Sequence, residues 1–173
     1  MKLVTKLTYN LVTEPWIPIT TNDGHSHSVS LRQVFEQAQE IRDISDPSPL
    51  SQVGLYRLLL AILYRTHKIT TSDSWKTLWS KGWNFEAISD YLERWENRFD
   101  LFSETHPFYQ RIDLPLDGRL TPLTKLSNEF TAGNNKQVFD HSTDENPVSF
   151  TPDRCARLLI EAQFWSIGGG VSG

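Results

Sequence analysis

The stretch Ser51-Gln52-Val53-Gly54-Leu55-Tyr56-Arg57-Leu58-Leu59-Leu60-Ala61-Ile62-Leu63-Tyr64 organises the whole chain. Apolar residues fall on nearly every side of a helical turn, which predicts a helix buried at the centre of a fold. Pro47-Ser48-Pro49 breaks the chain ahead of it. Arg57 and Arg65, followed by His67 and Lys68, put cations toward its C-terminal end, where they suit the helix dipole or offer a partner a basic patch. The apolar run Leu58–Tyr64 falls far short of the roughly 20 residues that cross a bilayer.

Upstream, the first forty residues read as a hairpin and then a helix. Leu7–Val12 alternates apolar and polar, the period of a half-buried strand. Trp16-Ile17-Pro18-Ile19 is a short extended piece whose prolines assign it to a sheet edge. Asn22-Asp23-Gly24 is a turn signal. Ser30 and Gln33 form a capping box, and Leu31, Val34, Phe35, Ala38 and Ile41 make one apolar helix face.

Downstream, Trp75, Leu78 and Trp79 mark a short helix closed by Gly82. Asn84 caps the next, whose stripe is Phe85, Ile88, Leu92, Trp95 and Phe99. The chain then turns at His106-Pro107, and 111–123 reads as short extended pieces and turns. From Ser127 to Phe150 the composition becomes polar and turn-rich, as in a long functional surface loop. Thr151-Pro152 starts a last helix, with Thr at the N-cap and Pro at the first position. Gly168-Gly169-Gly170 follows it, leaving more bare backbone than a helix cap needs. The fold class is therefore mixed α+β.

Composition removes several functions. The 173 residues are 38% hydrophobic and 22% charged, as in a globular protein. Seventeen basic against 21 acidic residues give a net charge of −4, so the chain is not a DNA-coating protein. No apolar segment follows Lys2 and Lys6 as a secretory signal requires, and the single Cys155 excludes an internal disulfide, so a cytoplasmic setting is expected. Arg154 and Arg157 beside Cys155 would lower a thiol pKa, but a lone Cys in an apolar helix generally packs. His25 and His27 are too few for a metal, and Asp140, His141 and Asp144 make a weak cluster in a loop. The glycine run lacks the Lys-Ser/Thr of a phosphate-binding loop and follows a helix instead of preceding one.

The ordered set Glu14-Pro15-Trp16-Ile17-Pro18, Leu55–Leu63, Tyr91–Trp95, Arg98–Phe102, His106-Pro107-Phe108-Tyr109-Gln110, Thr121-Pro122-Leu123 and the glycines 168–170 resembles the CasA family. CasA is the large subunit of the type I-E CRISPR surveillance complex, Cascade. The resemblance covers essentially all 173 residues. It implies that residues 1–173 are a partial N-terminal domain, with the family's C-terminal four-helix bundle absent.

The resemblance also implies a non-catalytic role, with no cofactor and no membrane. CasA-like subunits recognise the short motif beside the target (the PAM) in double-stranded DNA, aid duplex opening, and recruit a nuclease-helicase for antiviral defence. Their partners are the other Cascade subunits and the guide RNA, which reads the long sequence. Gly168, Gly169 and Gly170 match the glycine loop that meets the PAM from the minor groove, where bare backbone fits and side chains clash. Lys136, Phe139, Asp140 and His141 fall in the stretch that matches the loop near the guide RNA and PAM. Phe139 is placed to stack on a base and Lys136 to meet phosphate. The family's lysine finger and wedge lie beyond residue 173, and Val171-Ser172 stand where some members carry a Lys. The alternatives are a protein-protein interaction module without nucleic-acid binding, and a hydrolase built on Cys155 or the Asp140/His141 loop.

Overall fold

A computed structural model describes residues 7–114, 123–126 and 149–165. Among these, three strands and five α-helices form a mixed α+β fold in the order β1 (Ile17–Thr21), β2 (Ser26–Val29), α1 (Leu31–Glu36), β3 (Ile41–Ile44), α2 (Pro49–His67), α3 (Ser72–Lys81), α4 (Phe85–Arg94) and α5 (Pro152–Trp165). Single 3₁₀ turns lie at Glu96–Arg98 and Leu123–Leu126.

The sheet is antiparallel with order β2-β1-β3. The β1–β2 hairpin closes at Asn22-Asp23-Gly24 as its residues demand. Gly24 takes φ +91°, a conformation an L side chain resists, and its amide donates to the Thr21 carbonyl. The strand containing Pro18 is central, not at the edge. A residue's N and C=O point to the same side of a strand. The Pro18 carbonyl accepts from Ser45 N at 2.9 Å, one residue past the end of β3, so the missing N–H falls outside the ladder.

Leu7–Val12 is not a strand. Asn10 makes an isolated bridge with Asp100, and its side chain accepts from Val12 N while its carbonyl accepts from Thr13 and Glu14. This turn inserts both Leu11 and Val12 into the core, which an alternating strand could not do. Leu11 N donates to the Phe99 carbonyl and Leu31 N to the Leu11 carbonyl, so the turn ties the start of α1 to the segment after α4.

The Ser30–Gln33 capping box is present, but α1 stops at Glu36. Ala38 therefore lies in the following turn and Ile41 in β3, not on the helix face. Helix α2 runs longer than its apolar run. Ser48 caps it, Pro49 opens it, and Lys68 closes it in the left-handed region. It buries Leu55, Leu58, Leu59, Ile62 and Leu63, while Val53, Tyr56, Leu60 and Tyr64 form an exposed stripe on another side. On α4 the apolar stripe holds through Leu92. The helix then ends and Trp95, its C-cap, turns outward, while Phe99 returns to the core.

Helices α2 and α5 meet at Gly54. A Cβ there would stand 2.6 Å from Ile160 Cγ2 and 3.3 Å from Phe164 Cδ2. Gly→Ala normally stabilises a helix interior by about 1 kcal/mol. Here crowding of about 1–3 kcal/mol opposes it, so Gly54→Ala is expected to lower stability. A denaturation midpoint at or above the parent's would refute the close packing.

Candidate functional site

Gly168–Gly170, Lys136, Phe139, Asp140 and His141 all lie outside the described residues. What the structure describes is α5, the helix that lies between them in sequence. Helix α5 begins four residues after position 148 and ends three residues before Gly168. At about 1.5 Å per residue, its 14 residues span about 21 Å, with the polar stretch entering one end and the glycines following the other.

Three sets of contacts hold this helix. At its start Arg157, nearly buried, places Nε 2.8 Å from Asp46 Oδ2 and donates through Nη1 to the Trp16 carbonyl at 2.7 Å and to Asp153 at 2.8 Å. The Nε contact is an ion pair without hydrogen-bond alignment. Asp46 has no exposed side-chain surface, and its Oδ1 accepts from Ser48 N at 2.8 Å and lies 3.9 Å from Arg154. In the middle, buried Glu161 accepts from both Ser48 Oγ and Ser51 Oγ at 2.8 Å. Near the end, the Arg57 guanidinium lies 4.8 Å over the Phe164 ring, and Trp165 Nε1 donates to the Leu50 carbonyl at 3.0 Å.

Charges so removed from water are tolerable only when paired, and this cluster pairs them across α5, α2 and the turn before α2. Burial alone would raise the Asp153 carboxyl. Hydrogen bonds from Thr151 and Arg157, the Arg157 charge and the Arg154 backbone outweigh it and hold the group below its ordinary value. The sequence reading missed Asp46, Ser48, Ser51, Arg157 and Glu161 as a set. Its available signals were Arg157 and Glu161 one turn apart in an apolar helix, and Ser51 at the start of another.

The other candidates separate clearly. Cys155 is half-buried and packs against the core. Burial, with the Asp153 charge, pushes its thiol up, opposite to an activated nucleophile. His25 and His27 are exposed on the hairpin, and His25 pairs with Asp23. Among the described residues no group of three His, Cys, Asp or Glu could hold a metal. Of the described helices, none is long and apolar enough to cross a membrane.

A family model described as CRISPR-associated protein Cse1 matches residues 10–173. The chain belongs to the Cse1 family. This Cse1-family chain is 39% identical over 163 residues to the CRISPR-associated protein CasA/Cse1 of Thermus thermophilus, covering 93% of the chain and 32% of that relative. The crystal structure of Thermobifida fusca Cse1 matches with a TM-score of 0.75 at 32% identity, over 89% of the chain and 29% of that structure. A chain of a CRISPR RNA-guided surveillance complex matches with a TM-score of 0.74 at 25% identity, over 90% of the chain and 34% of that one. The Cse1-family chain thus spans about a third of the length of the relatives it matches.

Proposed function

We propose that this chain is the N-terminal part of a non-catalytic recognition subunit of the type I-E CRISPR RNA-guided surveillance complex, working in the cytoplasm. It reads the PAM in double-stranded DNA, helps open the duplex, and takes part in recruiting the nuclease-helicase. Its partners are the other Cascade subunits, the guide RNA and target DNA. The observation that carries this reading is the family match over 10–173, together with a helix that links the polar stretch to the glycine run. A rigid mount is what such a function needs, because backbone amides must meet base edges within hydrogen-bonding distance. Gly168, Gly169 and Gly170 enter the minor groove, where absent side chains allow close approach. Lys136, Phe139, Asp140 and His141 serve beside the guide RNA and PAM. The net charge of −4 is compatible, since guide RNA and sister subunits hold the strands.

In the assembled complex, Gly169→Asp adds a side chain and a negative charge facing phosphates. Target binding is expected to weaken about 10- to 100-fold, the size of a lost base-pair contact. Electrophoretic mobility shift with PAM and non-PAM duplexes reads this directly, and unchanged PAM binding would reject the glycine assignment.

A protein-interaction role without nucleic acid is favoured by one observation. A groove of about 850 Å³ among α1, β3, α2 and α3 is lined by Tyr56, Leu60, Trp75, Trp79 and Trp83 along with residues of α1 and β3, and Trp79 is 83% exposed. Equal assembly of the Gly169→Asp subunit, with DNA binding unaltered, would favour that reading.

A further inference from the structure

We propose that the cleft between the end of α2, the Glu96–Arg98 turn and the 105–113 segment binds a nucleotide unit, stacking its base on exposed aromatic rings and holding its phosphate with Arg65 and Arg98. The cleft measures about 680 Å³, within the range of small-ligand pockets. Leu58, Ile62 and Phe99 supply an apolar floor. None of these residues belongs to the glycine run or the polar stretch, so the inference goes beyond the proposed function.

The charge balance of the lining favours an anion. Asp113 is its single carboxylate among the described residues, and Arg111 already grips it through Nε at 2.9 Å and Nη2 at 2.5 Å. That pair neutralises itself. Arg65 and Arg98 also line the cleft, and neither has an ion-pair partner among the described residues. The Arg98 guanidinium stands 6.0 Å over the Trp95 ring, which places cation and aromatic face together.

The aromatic wall carries a strained residue. Tyr109 has φ +52°, a left-handed conformation that a bulky side chain adopts only when its surroundings impose it. Three bonds impose it here. Phe108 N donates to the Asp100 carbonyl, Gln110 N to the Pro107 carbonyl, and Gln110 Nε2 to the Leu101 carbonyl. The result leaves the Tyr109 ring 42% exposed at the cleft, backed by Phe108 at 4.5 Å. Trp95 is the second exposed face. Bases within a duplex are already stacked on one another, so separate aromatic faces suit an unpaired base. The source is either a single strand or a free nucleotide.

The test is fluorescence anisotropy of a labelled oligothymidylate of about a dozen nucleotides, the size such grooves accommodate, with AMP as competitor. The chain is expected to bind the strand, and Arg65→Ala/Arg98→Ala to weaken it at least about tenfold. Loss of two phosphate contacts should also lower the slope of log affinity against log salt by about 1.4. Tyr109→Gly accepts the positive φ without strain, so it should keep the parent's melting temperature and still lose about tenfold in binding. Tighter binding of the strand than of AMP identifies a single strand as the source, and equal binding identifies the free nucleotide. Absence of binding to both probes, or binding indifferent to Arg65 and Arg98, overturns the proposal. Loss of strand binding in Gly169→Asp would overturn it too, by placing the contact at the glycine run.

Discussion

Arg157→Met is expected to destabilise the chain by about 3–5 kcal/mol, because it removes the closer cation from the buried Asp46 and leaves Arg154, 3.9 Å away, as its remaining counter-charge. It also removes the donor to the Trp16 carbonyl and one partner of Asp153. Replacing both charges, as Asp46→Leu/Arg157→Met, should recover much of the loss, since apolar side chains need no pairing. A double-mutant cycle from urea midpoints checks this, and a single-variant cost below about 1 kcal/mol would show that the pair is solvated.

The cluster also sets a pH dependence. Asp153 titrates below its ordinary value in the folded state. Its contribution is therefore complete above the unfolded carboxyl value of 3.8 and is lost as pH falls through the lower folded value. In Arg157→Met two of the influences that depress it are gone, so that acid-side loss should shrink. A variant with the parent's full acid-side slope would place the dependence on other carboxyls.

Trp16→Ala is expected to cost about 3–5 kcal/mol, the range for emptying a large aromatic site. Trp16 is fully buried, donates through Nε1 to the Leu11 carbonyl at 2.9 Å, and meets Phe108 edge-on at 6.1 Å. Its own carbonyl is the one Arg157 holds. The substitution therefore loosens the Asn10 turn, the Phe108 wall and the start of α5 together. At about 2–4 °C per kcal/mol for a chain of this size, melting should drop by about 6–20 °C. Trp16→Phe keeps most of the volume and should lose about half as much. A calorimetric shift under about 3 °C for Trp16→Ala would contradict this central role.

These effects converge because one helix, α5, joins elements distant in sequence. Its position depends on Gly54 for closeness, on Asp46, Ser48 and Ser51 for charge and hydrogen bonding, and on Leu50 for the anchor of Trp165. Such a mount serves the proposed reading of DNA, since displacement by even an ångström separates backbone donors from base acceptors.

The chain's own residues were enough for everything governed by near neighbours. Ser30 with Gln33, and Asn84, announce helix starts because capping is a contact within three residues. Asn22-Asp23-Gly24 announces the hairpin because a turn's φ demands are local. The packing role of Cys155 was legible from its apolar surroundings. The ordered motifs also carried the family, which the match over 10–173 shows.

Tertiary structure alone decided the rest. Pro18 is central because its missing N–H falls beyond the end of β3, a matter of where another strand stops. The alternation at Leu7–Val12 gave no strand because Asn10 bridges to Asp100 and Leu11 N donates to the Phe99 carbonyl, far along the chain. Trp95 faces out because α4 ends one residue earlier. The Asp46–Arg157 and Ser51–Glu161 pairings span more than a hundred residues, and no periodicity encodes a partner at that distance. Local patterns report what each residue asks of its neighbours, whereas burial and charge pairing depend on which surfaces the closed chain brings together.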